Sequence, residues 1–178
     1  MRKKSILIMV ISAVLVGTVA AFTVSYISKT STRNNSFTVA TINPVINETF
    51  DNIVKEDVYI SNSGNSPIYV RVAILYSFIG TSGSLLSDIP VENTDYTVSF
   101  SSSTNWLHGS DGYYYYKTAI GENEQTDILV DEIRKLTNSA DKKLTVDILV
   151  QGIQAEPLSA VREAWNVNVN NGVISLGN

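Results

Sequence analysis

Few side chains in this sequence combine the type and the spacing that catalysis requires. The 178 residues include one histidine, His108, and no cysteine, so a catalytic zinc site would need mostly carboxylate ligands, an uncommon choice. Close carboxylate pairs occur in polar turns, where nothing local would raise a pKa for general acid–base work. These pairs are Glu122 with Glu124 and Asp131 with Glu132. No catalytic residue, metal ion or cofactor is predicted, and the chain is interpreted as not being an enzyme.

The tyrosine run Tyr113–Tyr116 is the other candidate for direct chemistry. Alternate tyrosines on a strand project to both faces and could form a stacking platform for a sugar or a peptide. Core packing combined with an exposed β-former is the favoured interpretation. The acidic turn near Asp111 lacks the ligand spacing of a calcium loop. Metalloprotease, serine-hydrolase and phosphate-loop motifs are also missing from the sequence.

The charge balance argues against a nucleic-acid-binding surface. The chain carries 13 Lys and Arg against 17 Asp and Glu, a net charge of −4, and its isoelectric point is near 4.9. A surface that neutralises phosphates would need a basic stripe, and the sequence has none. No nucleic-acid partner is predicted.

The N-terminus has the pattern of an export signal. A basic segment, Arg2–Lys4, precedes the apolar core Ile6–Val16, and the stretch Ile6–Ile27 contains no charged residue. Small residues at −3 and −1 predict cleavage by a signal peptidase, at a site formed by Thr18, Ala20 and Ala21. Residues 1–20 are therefore predicted to be a signal peptide, and the mature protein to be secreted to the cell surface or the extracellular matrix. The alternative is an uncleaved membrane anchor, because the apolar run is long enough to span a bilayer.

The remaining residues must fold as a single β-rich domain. From Ala21 on there are 16 Val and 15 Ile against 10 Leu and 8 Ala, which favours strands over helices. Two long segments have period-2 alternation, Ile68–Phe78, expected to be central, and Leu144–Ile153. Arg71 and Asp147 lie on these two strands, either as a cross-strand pair or as separate solvated charges. Shorter strands are predicted at Phe37–Ile42, Val54–Ser61, Tyr96–Phe100, Tyr113–Thr118 and Ile128–Ile133.

One helix is predicted in the C-terminal half. It begins at Pro157, and Leu158, Val161 and Trp165 recur on one face. Beyond it, Asn171 and Gly172 suggest a two-residue hairpin turn in a loosely held tail. The predicted class is all-β, an antiparallel sandwich with one short helix.

Several segments, taken in order, resemble one family. They are Gly17–Phe22, Asn35–Val39, Asn62–Val72, Trp106 with Asp111–Lys117, and Ile153–Ala155 leading to Ala164–Trp165. This set is similar to the exported matrix proteins of Gram-positive bacteria that a SipW-type signal peptidase processes, the TasA and camelysin group, and within it to the clostridial BsaA-type proteins. The resemblance implies a jelly-roll-like β-sandwich whose subunits build fibres of the biofilm matrix. Camelysin-like relatives have been described as metallopeptidases, but this sequence has no matching set of metal ligands.

Polymerisation by strand donation is the mechanism that the sequence suggests. Phe22, Val24 and Tyr26 alternate with Thr23 and Ser25, the pattern of a half-buried strand. This donor strand and a polar spacer occupy residues 21–35, ahead of a sandwich domain at residues 36–178. Inserted into the sheet of the next copy, the donor strand would build a head-to-tail homopolymer.

Other interpretations remain open at this level. The residues of the predicted donor strand could instead form the subunit's own first strand or a loose terminus. The protein could be a membrane-tethered adhesin, a secreted metallopeptidase, or an accessory subunit that caps or nucleates fibres of a related matrix protein.

Overall fold

The fold is that of a computed structural model, which describes residues 40–51, 53–136 and 139–177. The described residues form ten strands and one helix. The strands are β1 Pro44–Phe50, β2 Val54–Asn62, β3 Ile68–Gly80, β4 Tyr96–Phe100, β5 Trp106–His108, β6 Tyr114–Tyr116, β7 Val130–Lys135, β8 Lys142–Gln154, β9 Asn168–Asn170 and β10 Val173–Ser175. The helix α1 spans Leu158–Trp165.

Eight of the strands form two four-stranded sheets. Sheet A has the order β1-β2-β7-β4, sheet B has the order β5-β6-β3-β8, and every pairing within them is antiparallel. The neighbours β2-β7-β4 and β8-β3-β6 are those of an eight-stranded jelly roll, whereas β1 and β5 pair as hairpins with β2 and β6. The predicted all-β antiparallel sandwich with one short helix in the C-terminal half is confirmed.

The two long strands predicted from period-2 alternation are the longest strands of sheet B. β3 lies between β6 and β8, and it pairs with β8 along thirteen residues from Ile68↔Gln154 to Gly80↔Lys142. Two other strands were not predicted. The first described strand is Pro44–Phe50 rather than Phe37–Ile42, of which residues 40–42 are outside any strand and the rest lies outside the described residues. The second is β5, a short strand that ends at His108.

Apolar side chains from the inner faces of the two sheets make the main core. They are Val58, Ile60, Ile68, Val70, Val72, Tyr116, Ile120, Leu129, Val130, Ile133 and Val146. Along β2 these buried residues alternate with half-buried or exposed ones, which fixes the face of sheet A that turns inward.

A second core lies on the outer face of sheet B. Helix α1 and the β9–β10 hairpin cover Tyr69 and Tyr115 there, and Val169 and Ile174 of the hairpin are almost fully buried. The turn at Asn171 and Gly172 has left-handed backbone at both residues (φ 50° and 76°), as a tight hairpin requires. The predicted hairpin is correct, but the expectation of a loosely held tail is wrong because its apolar residues complete this core.

The sandwich has two ends with different chemistry. At the proximal pole, where the described chain begins, residues 41–43 lie beside the turn Ser63–Asn65. The distal pole, at the other end of the strands, consists of the β1–β2 turn, the β3–β4 loop and the end of β7. Large apolar side chains are exposed there: Phe50, Ile53, Leu85, Ile89, Val91 and Leu136.

Candidate functional site

The site residues predicted from the sequence lie outside the described residues. These are the cleavage-site residues Thr18, Ala20 and Ala21 and the donor-strand residues Phe22, Val24 and Tyr26. The structure does describe two complementary features. One is residues 41–43 near the start of the described chain, called here the departure segment, and the other is the set of sheet edges that could receive a strand.

The departure segment is held firmly at the proximal pole. The Asn65 amide donates to the Thr41 carbonyl (3.0 Å), the Thr41 amide donates to Oδ1 of Asn65 (2.7 Å), and the Ser63 amide donates to the Asn43 carbonyl (3.1 Å). Gly64 is required by this close approach, since a Cβ there would lie 2.1 Å from the Thr41 carbonyl oxygen. Residues 41–43 are therefore fixed to the sandwich at this pole.

A buried asparagine organises the same pole. The Asn62 side-chain amide donates to the carbonyls of Ser66 (2.8 Å), Gly121 (3.2 Å) and Ile120 (3.3 Å), and its Oδ1 accepts from the Gly64 amide (2.9 Å). A buried amide with partners on both its oxygen and its nitrogen rigidifies the turns that it joins. Asn62 thus couples the Ser63–Asn65 turn to the loop after β6.

The sandwich has four sheet edges, and one of them is much longer than the others. Strands β1 and β4 border sheet A, and strands β5 and β8 border sheet B. β8 has 13 residues, against seven in β1, five in β4 and three in β5. Within the described residues β8 pairs only with β3, so its second edge is free for another strand.

A cleft separates the β8 edge from β1 in the facing sheet. Its volume is about 390 Å³, and Ile46 and Glu48 of β1, Lys55 of β2 and residues 146–149 of β8 line it. Ile46, Ile148 and Val150 pack against the main core but stay only half-buried. At the proximal end β1 approaches β8 closely, because a Cβ on Gly152 would lie 3.1 Å from Cγ of Pro44. The inner layer of the sandwich is thus incompletely covered along this cleft.

Charged side chains lie beside the same cleft. Lys55 forms an ion pair with Glu48 across β1 and β2. Burial lowers the pKa of Lys135, and the nearby charges of Lys143 and Lys55 lower it further. Cations that point toward the interior beside an open edge disfavour indiscriminate edge-to-edge pairing. Access to the cleft therefore requires a strand with matched side chains.

The opposite side of the sandwich is closed by aromatic pairs between the sheets. Tyr96 of β4 stacks on Tyr76 of β3 with ring centroids 3.9 Å apart, and Phe100 of β4 stacks on Tyr114 of β6 at 4.9 Å. Burial, with a smaller contribution from Tyr96, raises the pKa of Tyr76 well above its ordinary value. These contacts leave no room for an added strand between the sheets on this side.

The tyrosine run is part of the protein interior. Tyr115 and Tyr116 are almost fully buried, one in each core, while Tyr113 and Tyr114 are half-buried. His108 stacks on Tyr114 with ring centroids 4.3 Å apart. The interpretation as core plus β-former is favoured by this burial, and no flat array of exposed tyrosines is formed. His108 is the last residue of β5.

Arg71 has partners other than Asp147. The register places Gln151 opposite Arg71 and Asp147 opposite Leu75, so the two charges lie too far apart along the strands to pair. Arg71 Nε donates to Oε1 of Gln151 (2.9 Å) and Nη1 donates to the Tyr115 hydroxyl (2.9 Å). Its guanidinium also stacks on a tyrosine ring at 4.0 Å. Arg71 therefore neither pairs with Asp147 nor lies as a separate solvated charge, so both expectations are wrong for this residue. It is a structural link between sheet B and the β5–β6 loop.

The acidic pairs have local structural partners. Oε2 of Glu124 accepts from the Gly121 amide (2.6 Å), and the Glu132 carboxylate pairs with the Arg134 guanidinium (2.7 Å). Among residues 40–51, 53–136 and 139–177, no three His, Asp or Glu side chains are placed to hold a metal ion. Glu124 therefore stabilises a turn, and Glu132 forms an ion pair on the surface of β7.

Comparison with protein-family models, curated proteins and solved structures found no match. In the part of the chain that the structure describes, no helix combines the length and the apolar character needed to cross a bilayer. The candidate site is therefore interpreted from its own geometry, as an open β8 edge opposite a fixed departure point.

Proposed function

We propose that this chain is a structural subunit of an extracellular biofilm-matrix fibre. In this proposal a SipW-type signal peptidase cleaves it during export, and the subunits polymerise non-covalently when each donates residues 22–28 to the β8 edge of the next copy. The observation that carries the proposal is the thirteen-residue free edge of β8 beside half-buried core side chains. Adding a strand there would extend the backbone hydrogen-bond ladder and cover that apolar layer.

The direction of the chain supports a head-to-tail arrangement. β8 runs from the distal to the proximal pole, and β1 and β3 run the opposite way. When the distal pole of one copy faces the proximal pole of the next, an arm that leaves the proximal pole enters its neighbour from the distal end. Read from its N-terminus, that arm then runs antiparallel to β8. The added strand would thus obey the antiparallel pattern of the whole sandwich.

The length of the N-terminal segment is sufficient for this reach. Residues 21–39 span at most about 60–70 Å when fully extended. The β8 strand spans about 44 Å at roughly 3.4 Å per residue. An arm of this length can cross the contact between two copies and still pair along a large part of β8.

The distal pole carries charges of both signs beside its exposed apolar side chains. Lys142 pairs there with Asp88 (3.1 Å), and Asp51 and Glu92 lie in the same turn and loop. The exposed apolar side chains of the distal pole would also be covered by a stacked copy. A heterologous contact of this kind does not close on itself, so it produces a filament rather than a dimer.

Truncation tests the role of the N-terminal segment. The chain expressed from Ala21 is expected to form filaments by electron microscopy in a concentration-dependent manner, and the chain from Ser36 is expected to remain monomeric. Equal filament formation by both would contradict strand donation.

A matched pair of substitutions tests the two faces of the arm. Val24→Asp places a charge on the apolar face and is expected to abolish filaments, because burying an unpaired carboxylate is costly. Ser25→Asp adds the same charge on the polar face and should leave filaments intact. Equal loss of filaments in both variants would show that charge, not the pattern of the arm, controls assembly.

A further inference from the structure

A groove lies on the outer face of sheet A, away from the β1–β8 cleft. Its volume is about 890 Å³, and β2, the segment after β4 and the segment before β7 form its walls. It shares no lining residue with the cleft. The groove is therefore available whether or not subunits assemble through β8.

A strained residue lies in one wall of this groove. Asp57 has a left-handed backbone (φ 55°) in the middle of β2, where neighbouring residues are extended. The pairing of β2 with β1 shifts from Asn47↔Tyr59 to Thr49↔Glu56, so β2 has one extra residue over this stretch, and Asp57 lies in the resulting bulge. A left-handed residue other than glycine costs free energy, and such residues cluster at binding sites where they redirect a side chain. The bulge presents the Asp57 carboxylate at the groove beside Tyr59.

The facing wall is held rigid by another carboxylate. Oδ2 of Asp127 accepts from Ser103 Oγ (2.5 Å) and from the Asn105 side-chain amide (2.8 Å), and these bonds lower the pKa of Asp127. The indole of Trp106 donates to the Asp127 carbonyl (3.1 Å). This network fixes the segment after β4 against the segment before β7.

The polar atoms that remain unused define the class of ligand. The side chains of Asp57, Tyr59, Ser102, Thr104 and Gln125 line the groove and have no hydrogen-bond partner among the described residues. They offer a carboxylate, hydroxyls and an amide, whereas the lining contains no Lys, Arg or His. A ligand with many hydroxyl groups and no negative charge can satisfy this set, because a carboxylate accepts from hydroxyl pairs and repels anions.

We propose that this groove binds an uncharged oligosaccharide. The Asp57 carboxylate would accept hydroxyl groups of one sugar, Tyr59 would contact a sugar face and its hydroxyl, and Ser102, Thr104 and Gln125 would bind the next sugars along the groove. The proposal goes beyond the fibre function and does not depend on it.

Surface plasmon resonance with the full chain immobilised tests the proposal. The uncharged probes are the hexamer of N-acetylglucosamine and cellohexaose, and the charged probes are the glucosamine hexamer and polygalacturonate. At least one uncharged probe is expected to bind with a Kd below about 1 mM. Asp57→Asn and Tyr59→Phe are each expected to weaken that binding at least roughly fivefold, since each removes one polar group of the groove.

Glu163→Gln is the matched control, because Glu163 is an exposed carboxylate of α1 outside the groove. It should bind as the unchanged chain does. All three variants should keep the same urea midpoint, and Asn tolerates the left-handed backbone of position 57. Failure of both uncharged probes to bind, binding of charged probes only, or equal affinity in Asp57→Asn, Tyr59→Phe and the unchanged chain would each overturn the proposal.

Discussion

The two long sides of the sandwich differ in how completely their side chains are packed. On the aromatic side, where β4 faces β3 and β6, the rings of Tyr96 and Phe100 stack on tyrosines of the other sheet at 3.9 and 4.9 Å. On the open side, where β1 faces β8, half-buried aliphatic residues such as Ile148 border a cleft that the Glu48–Lys55 ion pair also lines. The aromatic side is closed by contacts within the chain, whereas the open side leaves part of the core layer uncovered.

The difference indicates where the free energy of the subunit is concentrated. Stacked aromatic rings bury large apolar areas and hold the two sheets together within one chain. Half-buried aliphatic residues beside a free edge gain stability only when something covers them. The aromatic side therefore stabilises the monomer, and in the proposed fibre the open side would supply the free energy of assembly.

The largest expected effect is the loss of an aromatic contact. Tyr96→Ala is expected to lower the free energy of unfolding by about 3–5 kcal/mol, because it removes a buried ring and leaves a cavity against Tyr76. Urea titration followed by circular dichroism measures this loss. Tyr96→Phe keeps the stack and should cost about 1 kcal/mol or less. A loss below about 1 kcal/mol for Tyr96→Ala would remove the distinction between the two sides.

The matched substitution on the open side should cost less in the monomer. Ile148→Ala removes a half-buried side chain, so a loss of about 1–2 kcal/mol is expected for the truncated, unassembled chain. The same change should raise the critical concentration for filaments of the chain from Ala21. A loss as large as that of Tyr96→Ala, with unchanged assembly, would show that the cleft belongs to the monomer core.

Substitution of Gly64 tests the fixed departure point. In Gly64→Ala the new Cβ would meet the Thr41 carbonyl, so the hydrogen bonds between residues 41–43 and the turn should break. The expected loss is about 1 kcal/mol, with faster amide exchange at Asn65 and fewer filaments. Gly177→Ala is the control, since a Cβ at that position meets no atom within 4 Å. Unchanged exchange at Asn65 in Gly64→Ala would contradict this role.

The smallest expected effect is a dependence on acid at Asp127. Hydrogen bonds from Ser103 and Asn105 lower its pKa in the folded chain below the unfolded value of about 3.9. A lowered carboxyl pKa stabilises the fold at pH values above the unfolded pKa, and this stabilisation is lost as the pH falls through the folded pKa. Because the side chain is exposed to solvent, we expect less than about 1 kcal/mol.

Asp127→Asn should therefore reduce the free energy of unfolding slightly at pH 7 and make no difference near pH 2. Urea titrations of both chains at pH 7, 5, 3 and 2 measure this convergence. A difference that stays constant over the whole range would mean that ionisation of Asp127 has no part in stability.

Long regular elements could be predicted from the sequence, and short or irregular ones could not. Period-2 alternation covers most of β3 and β8, at Ile68–Phe78 and Leu144–Ile153, and the burial along β8 follows the same period. β1 combines Asn47 and Glu48 with a proline start, and most of it is exposed, which weakens the alternation. β5 has three residues and depends on pairing with β6.

The candidate site was predictable only in part. The apolar side chains of the donor strand, Phe22, Val24 and Tyr26, could be predicted from local alternation. The donation of this strand to a neighbouring copy stays a prediction. The cleft joins residues about 100 positions apart, such as Ile46 and Ile148, and no local pattern reports such a contact. The partners of Arg71 depended on strand register, and the left-handed backbone of Asp57 depended on a bulge. Each of these is set by tertiary pairing rather than by local sequence.

Disulfide cross-linking between two populations of subunits tests strand donation most directly, because the chain contains no cysteine of its own. One population carries Val24→Cys and the other carries Ile148→Cys or a neighbouring inward position of β8, and the two are mixed before assembly and oxidised. The account predicts a cross-linked dimer for a β8 partner and none for Ser99→Cys on the β4 edge. Cross-linking to the β4 edge, or disulfides formed only within a single chain that carries both Val24→Cys and Ile148→Cys, would contradict it.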